Sequence, residues 1–256
     1  MTWLATLARW LDSAGIHARR AIGRRVERRG NQVTLQGLTF SVDNPLISVR
    51  EKALIYMGIH EAPEIRLARR HLDARLPLIE LGGGIGVLSC MINRNLIRPR
   101  DHIVVEANPE LIPTLELNRQ RNRCQFRVMN VALAYDGPEI ELGIDSLAAS
   151  RVGAPGQRRV RVPATTLESV VRETGFARFN LMVDIEGAEV ALVEREGGLL
   201  GRRVQVLILE THPRFTGAAR TAAMLDRIRS LGFTELARAR TVHAFENRSG
   251  GPPPPA

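Results

Sequence analysis

The sequence predicts a doubly wound α/β fold with a mostly parallel, seven-stranded sheet, an antiparallel C-terminal strand and an N-terminal cap of helices and β-strands. Three observations carry this. From Leu76 onward, short apolar runs alternate with stretches of helical periodicity. A glycine cluster, Gly82-Gly83-Gly84-Ile85-Gly86, directly follows one apolar run and directly precedes a helical one. The last two β-prone runs are separated by a tight connection, which makes them an antiparallel pair on an otherwise parallel sheet.

Taken in order, residues 1–30 place Trp3, Leu4, Leu7, Trp10 and Leu11 at helical spacing. Arg19, Arg20, Arg24, Arg25, Arg28 and Arg29 follow after Gly15. This is an amphipathic, arginine-rich helical segment, expected to pack its apolar face on the domain or on a second subunit. Peripheral membrane contact through residues 1–30 is the competing reading. Residues 31–75 form the cap: an alternating β segment at 32–42 with a bend at Gly37, and helices at 46–57 and 61–72, the latter with Pro63 in its first turn.

The main domain, 76–249, opens with a strand at 76–81 and a helix at 85–96. A strand at 102–106, a helix at 109–121 and a strand from Gln125 follow. Residues 135–163 hold Gly137, Pro138, Gly153, Pro155 and Gly156 and read as an insert, a mobile loop or hairpin with β-prone pieces. A helix at 166–174, a buried strand at 179–184, a helix at 188–196, a strand at 204–210 and a helix at 217–231 complete the winding. Residues 250–256, with four consecutive prolines, form a tail.

The chain of 256 residues buries a core without staples, and its two cysteines, Cys90 and Cys124, lie in no metal or redox spacing. Its formal charge is +9, but Lys52 is the only lysine. An arginine bias alongside abundant Gly and Ala reads as coding background rather than as a nucleic-acid groove. No apolar run reaches the ~20 residues of a membrane span, and no signal peptide is read, so the cytoplasm is the expected compartment.

The glycine cluster sits where a strand ends, the place at which open α/β sheets bind ligands. Counted from Gly82, the third glycine of a dinucleotide loop falls on Val87, which damages that reading. Glu80, two residues before Gly82, would repel a pyrophosphate and attract a cationic ligand such as S-adenosylmethionine. Gly82, Gly84 and Gly86 are therefore cofactor-loop candidates. Glu106 ends the next strand, 20 residues after Gly86, where a carboxylate can accept bonds from ribose hydroxyls. Asn130, at the end of the third strand, is a candidate for adenine contact.

Three runs together, E-L-G-G-G-I-G, V-E-A-N-P-E-L-I-P-T-L-E-L-N and V-D-I-E-G-A-E-V-A-L-V-E, resemble the FkbM family of methyltransferases over roughly residues 60–212. The resemblance implies a Rossmann-like class I methyltransferase fold, S-adenosylmethionine as cofactor and O-methylation of a small molecule or sugar. It puts Gly82, Gly84 and Gly86 on the cofactor loop, Glu106 on the ribose acid and Asp184 and Glu186 on the acidic site. It also places Glu210 and His212 on an E-x-H motif after the fifth strand. The chain departs from the usual pattern at Glu80, Gly83 and Gly84, and at Met182, where a basic residue is common.

Methyl transfer to a hydroxyl needs alignment and removal of one proton. Asp184, Glu186 and His212 are the catalytic candidates, each also readable as an ordinary cap or turn residue. Glu189 and Glu194 read as solvated helix charges. Asp184, Glu186, Glu210 and His212 have metal-compatible chemistry, but their spacing fixes no geometry, and no metal is assigned. The acceptor expected is a small molecule or sugar rather than a nucleic acid. A nucleic-acid methyltransferase and a non-enzymatic cofactor-binding or membrane-associated partner protein are the alternatives. The sequence leaves the oligomeric state open.

Overall fold

The computed structural model describes residues 3–144, 151–152 and 158–248. The N-terminal segment is one helix, α1 (Trp3–Arg28), continuous through Gly15. The predicted Trp/Leu face at its start lies outside the described side chains, and the prolines of 250–256 lie outside the described residues. The second half of α1 docks on α2 (Val49–Tyr56) through buried Val26. Gly23 lies so close to the Val49 backbone that any side chain there would collide with it. The six arginines named above are all exposed. α2 starts at Ser48 because Ser48 and Glu51 close a reciprocal capping box.

β1 (Gln32–Leu35) and β2 (Leu38–Ser41) form a hairpin, and α3 (Ala62–His71) completes the cap. The central sheet contains β3 (Leu78–Leu81), β4 (His102–Val105), β5 (Arg127–Met129), β10 (Phe179–Val183), β11 (Val204–Glu210), β12 (Phe233–Ala239) and β13 (Val242–Asn247). Its order is β12-β13-β11-β10-β3-β4-β5, and β13 alone runs antiparallel to the rest. The order reverses between β3 and β10, so the crevice outside their C-terminal ends is the topological switch point. β3, β4 and β10 are buried along their whole length, as parallel strands covered on both faces must be.

The alternation within β3 sorts the two layers. Ile79 and Leu81 face α6 (Leu167–Thr174), α7 (Glu189–Arg203) and α9 (Ala218–Ser230). Leu78 faces α3 and α4 (Val87–Asn93). α5 (Ile112–Arg121) packs its Leu115 with Val104 and the hairpin residue Phe40.

Three expectations are corrected. The strand expected from Gln125 to Leu133 breaks at Asn130, and Ala132–Leu133 (β6) joins a different sheet. The insert is not a simple loop or hairpin. Its alternating runs form β7 (Glu139–Ile144) and β9 (Arg158–Thr165), which pair antiparallel. With β6 and β8 (Arg151–Val152) they make a four-stranded second sheet. Leu142, Ile144 and Val162 bury against Ala132, which fixes that sheet on the rim of the switch point. The helix expected to stop at 196 continues to Arg203 through a kink at Glu196. Buried Glu196 accepts the amides of Leu167 and Glu168 and the Tyr135 hydroxyl, so it caps α6 from across the fold. No helix of the described residues is long and apolar enough to cross a membrane.

Candidate active site

The glycine loop turns sharply out of β3. Gly82, Gly84 and Gly86 take φ of 95°, 53° and 80°, a region that disfavours any side chain. Gly82 has a second constraint. A Cβ there would collide with the carbonyl oxygen of Asp184 at the end of β10. The two strand ends at the switch point therefore touch through backbone. The loop floors a cleft of about 860 Å³ of empty volume. Glu61, Glu106, Asp184, Glu186 and Leu142 are among its lining residues.

Glu106 is buried at the end of β4, and its two oxygens accept from the Gly84 and Asn108 amides, each at 2.7 Å. Burial pushes its carboxyl up to about 7, against the pull of these amides. Asn130 donates to the carbonyls of Glu106 (2.8 Å) and Ala107, so it braces the turn that carries Glu106. Val131, Ala132 and Leu133 after it line the cleft. Glu80 points the other way. It accepts from Ser89 Oγ (2.8 Å) and from His102 Nε2 (2.9 Å), and lines a small pocket beneath the loop. Asn93 donates to His102 Nδ1, which leaves Nε2 as the proton-bearing nitrogen. Burial raises the Glu80 carboxyl, and His102 and Ser89 oppose the rise.

Asp184, Glu186 and His212 converge. His212 Nε2 lies 3.4 Å from Asp184 Oδ1 and 3.5 Å from Glu186 Oε2. Glu210 Oε2 stands 3.9 Å from the same nitrogen. Glu186 has a left-handed backbone (φ 52°) next to Gly187 (φ 108°), a local cost that aims its carboxylate back at the cleft. Arg214 holds it at 3.1 Å. Burial raises the Glu186 carboxyl, while His212 and Arg214 lower it. Asp184 is pushed well above its ordinary range by burial and by the Glu210 and Glu186 charges. Burial lowers the His212 imidazole, but Glu189, Glu186 and Glu210 outweigh it and the net shift is upward.

Glu189 is a correction. It is not a solvated helix charge but is 1 % exposed. It accepts from the Ile185 and Gly187 amides and lies 2.8 Å from His212 Nδ1. A carboxylate only accepts, so Nδ1 carries the proton and Nε2 faces the acids. Glu194 is exposed and pairs with Arg220, as expected for a surface charge. The cap adds residues that sequence reasoning missed. Glu61 accepts the Leu88 amide at the start of α4, and His60 pairs with Glu61 at 3.4 Å. Both line the cleft. Buried Glu64 lies beside Glu210. No motif marked these three; only the docking of α3 on the loop brings them in.

A family model described as a methyltransferase FkbM domain matches residues 80–235. The chain belongs to the FkbM methyltransferase family. The match runs from Glu80 in β3 to Glu235 in β12, so it spans the glycine loop, Glu106, the acidic site and His212. This FkbM protein is an S-adenosylmethionine-dependent methyltransferase. No curated protein matches the chain. Among solved structures it is similar to the human methyltransferase 10 domain containing protein, with 17% identity over 90% of this chain and 94% of that one and a TM-score of 0.47. It is also similar to precorrin-6y C5,15-methyltransferase from Geobacter metallireducens, with 12% identity, 80% and 91% coverage and a TM-score of 0.44. A third is Aeropyrum pernix fibrillarin with bound S-adenosyl-L-methionine, with 11% identity, 73% coverage of both chains and a TM-score of 0.44.

The FkbM cofactor suits this crevice electrostatically. Glu106 and the glycine loop line one end of the cleft together, where a strand-end carboxylate suits the ribose hydroxyls of a nucleoside. The acidic residues at the end of β10 suit a ligand that carries a sulfonium and an ammonium.

Proposed function

We propose that this FkbM protein methylates a hydroxyl of a small molecule or sugar. The observation that carries the reading is that Asp184 and Glu186, which line the crevice, converge on His212 Nε2 behind them. In this reading Glu106 accepts the ribose hydroxyls, the glycine loop lets the backbone approach the cofactor, and the Val131 segment covers the adenine. Asp184 and His212 orient the acceptor, and Glu186 takes its proton. The hydroxyl oxygen then attacks the methyl carbon, and the carbon–sulfur electron pair returns to sulfur. The donor is already activated, so alignment and proton removal are what the protein must supply.

The second sheet, through Leu142, and the cap, through His60 and Glu61, line the cleft and narrow it, which suits a compact substrate. A nucleic acid fits less well. Among the described residues, the cleft is lined by the carboxylates Glu61, Glu106, Asp184 and Glu186 and by no arginine, a lining that disfavours phosphate. Cys90 and Cys124 are free and buried, which suits a reducing compartment such as the cytoplasm. The test is an acceptor screen with labelled cofactor, followed by Glu186→Gln. The reading expects kcat to fall by about 10² to 10⁴ with cofactor affinity unchanged. Unchanged kcat would contradict it.

A further inference from the structure

We propose that Asp184, Glu210 and His212, backed by Glu64, form a divalent-cation site at the Asp184 edge of the cleft, next to the small pocket beside Gly82. One ligand atom from each of Asp184, Glu210 and His212 lies within 4.8 Å of the others. Two ligands on one ion stand apart by at most twice the bond length, about 4.2 Å for bonds of ~2.1 Å. His212 Nε2 meets this limit with both Asp184 Oδ1 (3.4 Å) and Glu210 Oε2 (3.9 Å).

Two further observations point to a cation rather than to a mere collection of acids. Buried His212 donates its Nδ1 proton to Glu189, so its Nε2 presents a lone pair to three carboxylates unless a proton or a cation lies between them. A carboxylate behind an imidazole is also the arrangement that orients metal-bound histidines. Independently, Glu64 is only 6 % exposed, and its buried Oε2 has no hydrogen-bond partner. Glu64, Asp184 and Glu210 line one small pocket beside Gly82. Asp184 Oδ1 is likewise buried without a hydrogen-bond partner. Two buried carboxylate oxygens without a donor thus belong to residues that line the same pocket, and one imidazole with two or three carboxylates suits Mn²⁺ or Mg²⁺ more than a soft ion.

The site stands on this geometry alone; its role rests on the O-methylation proposed above. There the cation binds the acceptor oxygen and lowers its pKa, and the proton passes to Glu186. The oxygen attacks the methyl carbon and the sulfur leaves with the C–S electron pair, giving a methyl ether and S-adenosylhomocysteine.

The test is Mn²⁺ titration of the full chain after metal stripping, read by the electron paramagnetic resonance signal of free Mn²⁺. The proposal expects one saturable site per chain, weakened by at least about tenfold in His212→Ala and Glu210→Gln. Glu64→Gln, a near-isosteric change, covers the case in which His212→Ala fails to fold, and it too should weaken Mn²⁺. Glu106→Gln should lose cofactor affinity yet keep Mn²⁺, which separates this proposal from the cofactor reading. Absent binding to folded wild type, or equal binding by Glu210→Gln and Glu64→Gln, would overturn it. Displacement of Mn²⁺ by S-adenosylmethionine would also overturn it, since the cofactor's ammonium would then be the cation served. Bound Mn²⁺ with methyl transfer insensitive to chelation would overturn its role in the reaction.

Discussion

Glu189 Oε1 lies 2.8 Å from His212 Nδ1, and both side chains are buried. The same carboxylate accepts the Ile185 and Gly187 amides, so it ties the turn that carries Glu186 to the imidazole that faces it. Glu189→Gln should therefore lower kcat by about 10- to 100-fold, the usual cost of losing an orienting carboxylate behind a histidine. Cofactor affinity should stay within about twofold of wild type. Steady-state kinetics and calorimetry on the same preparation check this. A parallel loss of both would show that Glu189 only holds the fold.

Gly82 offers a stability test. Its φ of 95° and its contact with the Asp184 carbonyl leave no room for a methyl group. Gly82→Ala should cost on the order of 2–4 kcal/mol in urea unfolding and abolish cofactor binding, because the loop must shift to relieve the clash. Gly175, also left-handed but with open space around it, is the control: Gly175→Ala should cost about 1 kcal/mol and leave binding intact.

The pH dependence of stability isolates Glu106. Its folded pKa is raised by burial from 4.5 to about 7. A raised carboxyl binds its proton more tightly in the folded state. Its stabilising contribution is thus fully present below pH 4.5 and is lost as pH rises through about 7. Glu106→Gln lacks this loss. In cofactor-free unfolding series from pH 4 to 8, wild type should lose stability relative to Glu106→Gln, by an amount on the order of 3 kcal/mol. A constant difference between the two would refute the assignment.

His102 and Glu80 form a buried pair, and neither is among the residues that line the main cleft. His102→Ala should destabilise the chain by about 3–5 kcal/mol, since it leaves a buried carboxylate with Ser89 as its remaining partner. Measured by thermal or urea unfolding, a loss below about 1 kcal/mol would mean that water replaces the imidazole.

The sheet was legible because its strands are apolar, short and punctuated: Leu78–Leu81, His102–Val105 and Phe179–Val183 each end where Gly, Glu or Asp begins. Asp184 and Glu186 were legible because they follow the end of β10 at the switch point, and His212 because it follows the end of the neighbouring β11. Glu189 was misread because a Glu in the first turn of a helix looks the same from sequence whether it faces water or a buried loop. Glu61 and Glu64 were missed because their place depends on how the cap docks, a contact between α3 and α4 that no local spacing encodes. The second sheet was underestimated because its glycines and prolines mask two alternating runs, Glu139–Ile144 and Arg158–Thr165.

The most direct test of the account is calorimetric titration of the purified full chain with S-adenosylmethionine and S-adenosylhomocysteine, alongside Glu106→Ala. The account predicts single-site binding of both ligands to wild type and at least about tenfold weaker binding to a folded Glu106→Ala, the loss of two charge-assisted bonds. No binding to folded wild type, or equal affinity in the variant, would contradict it.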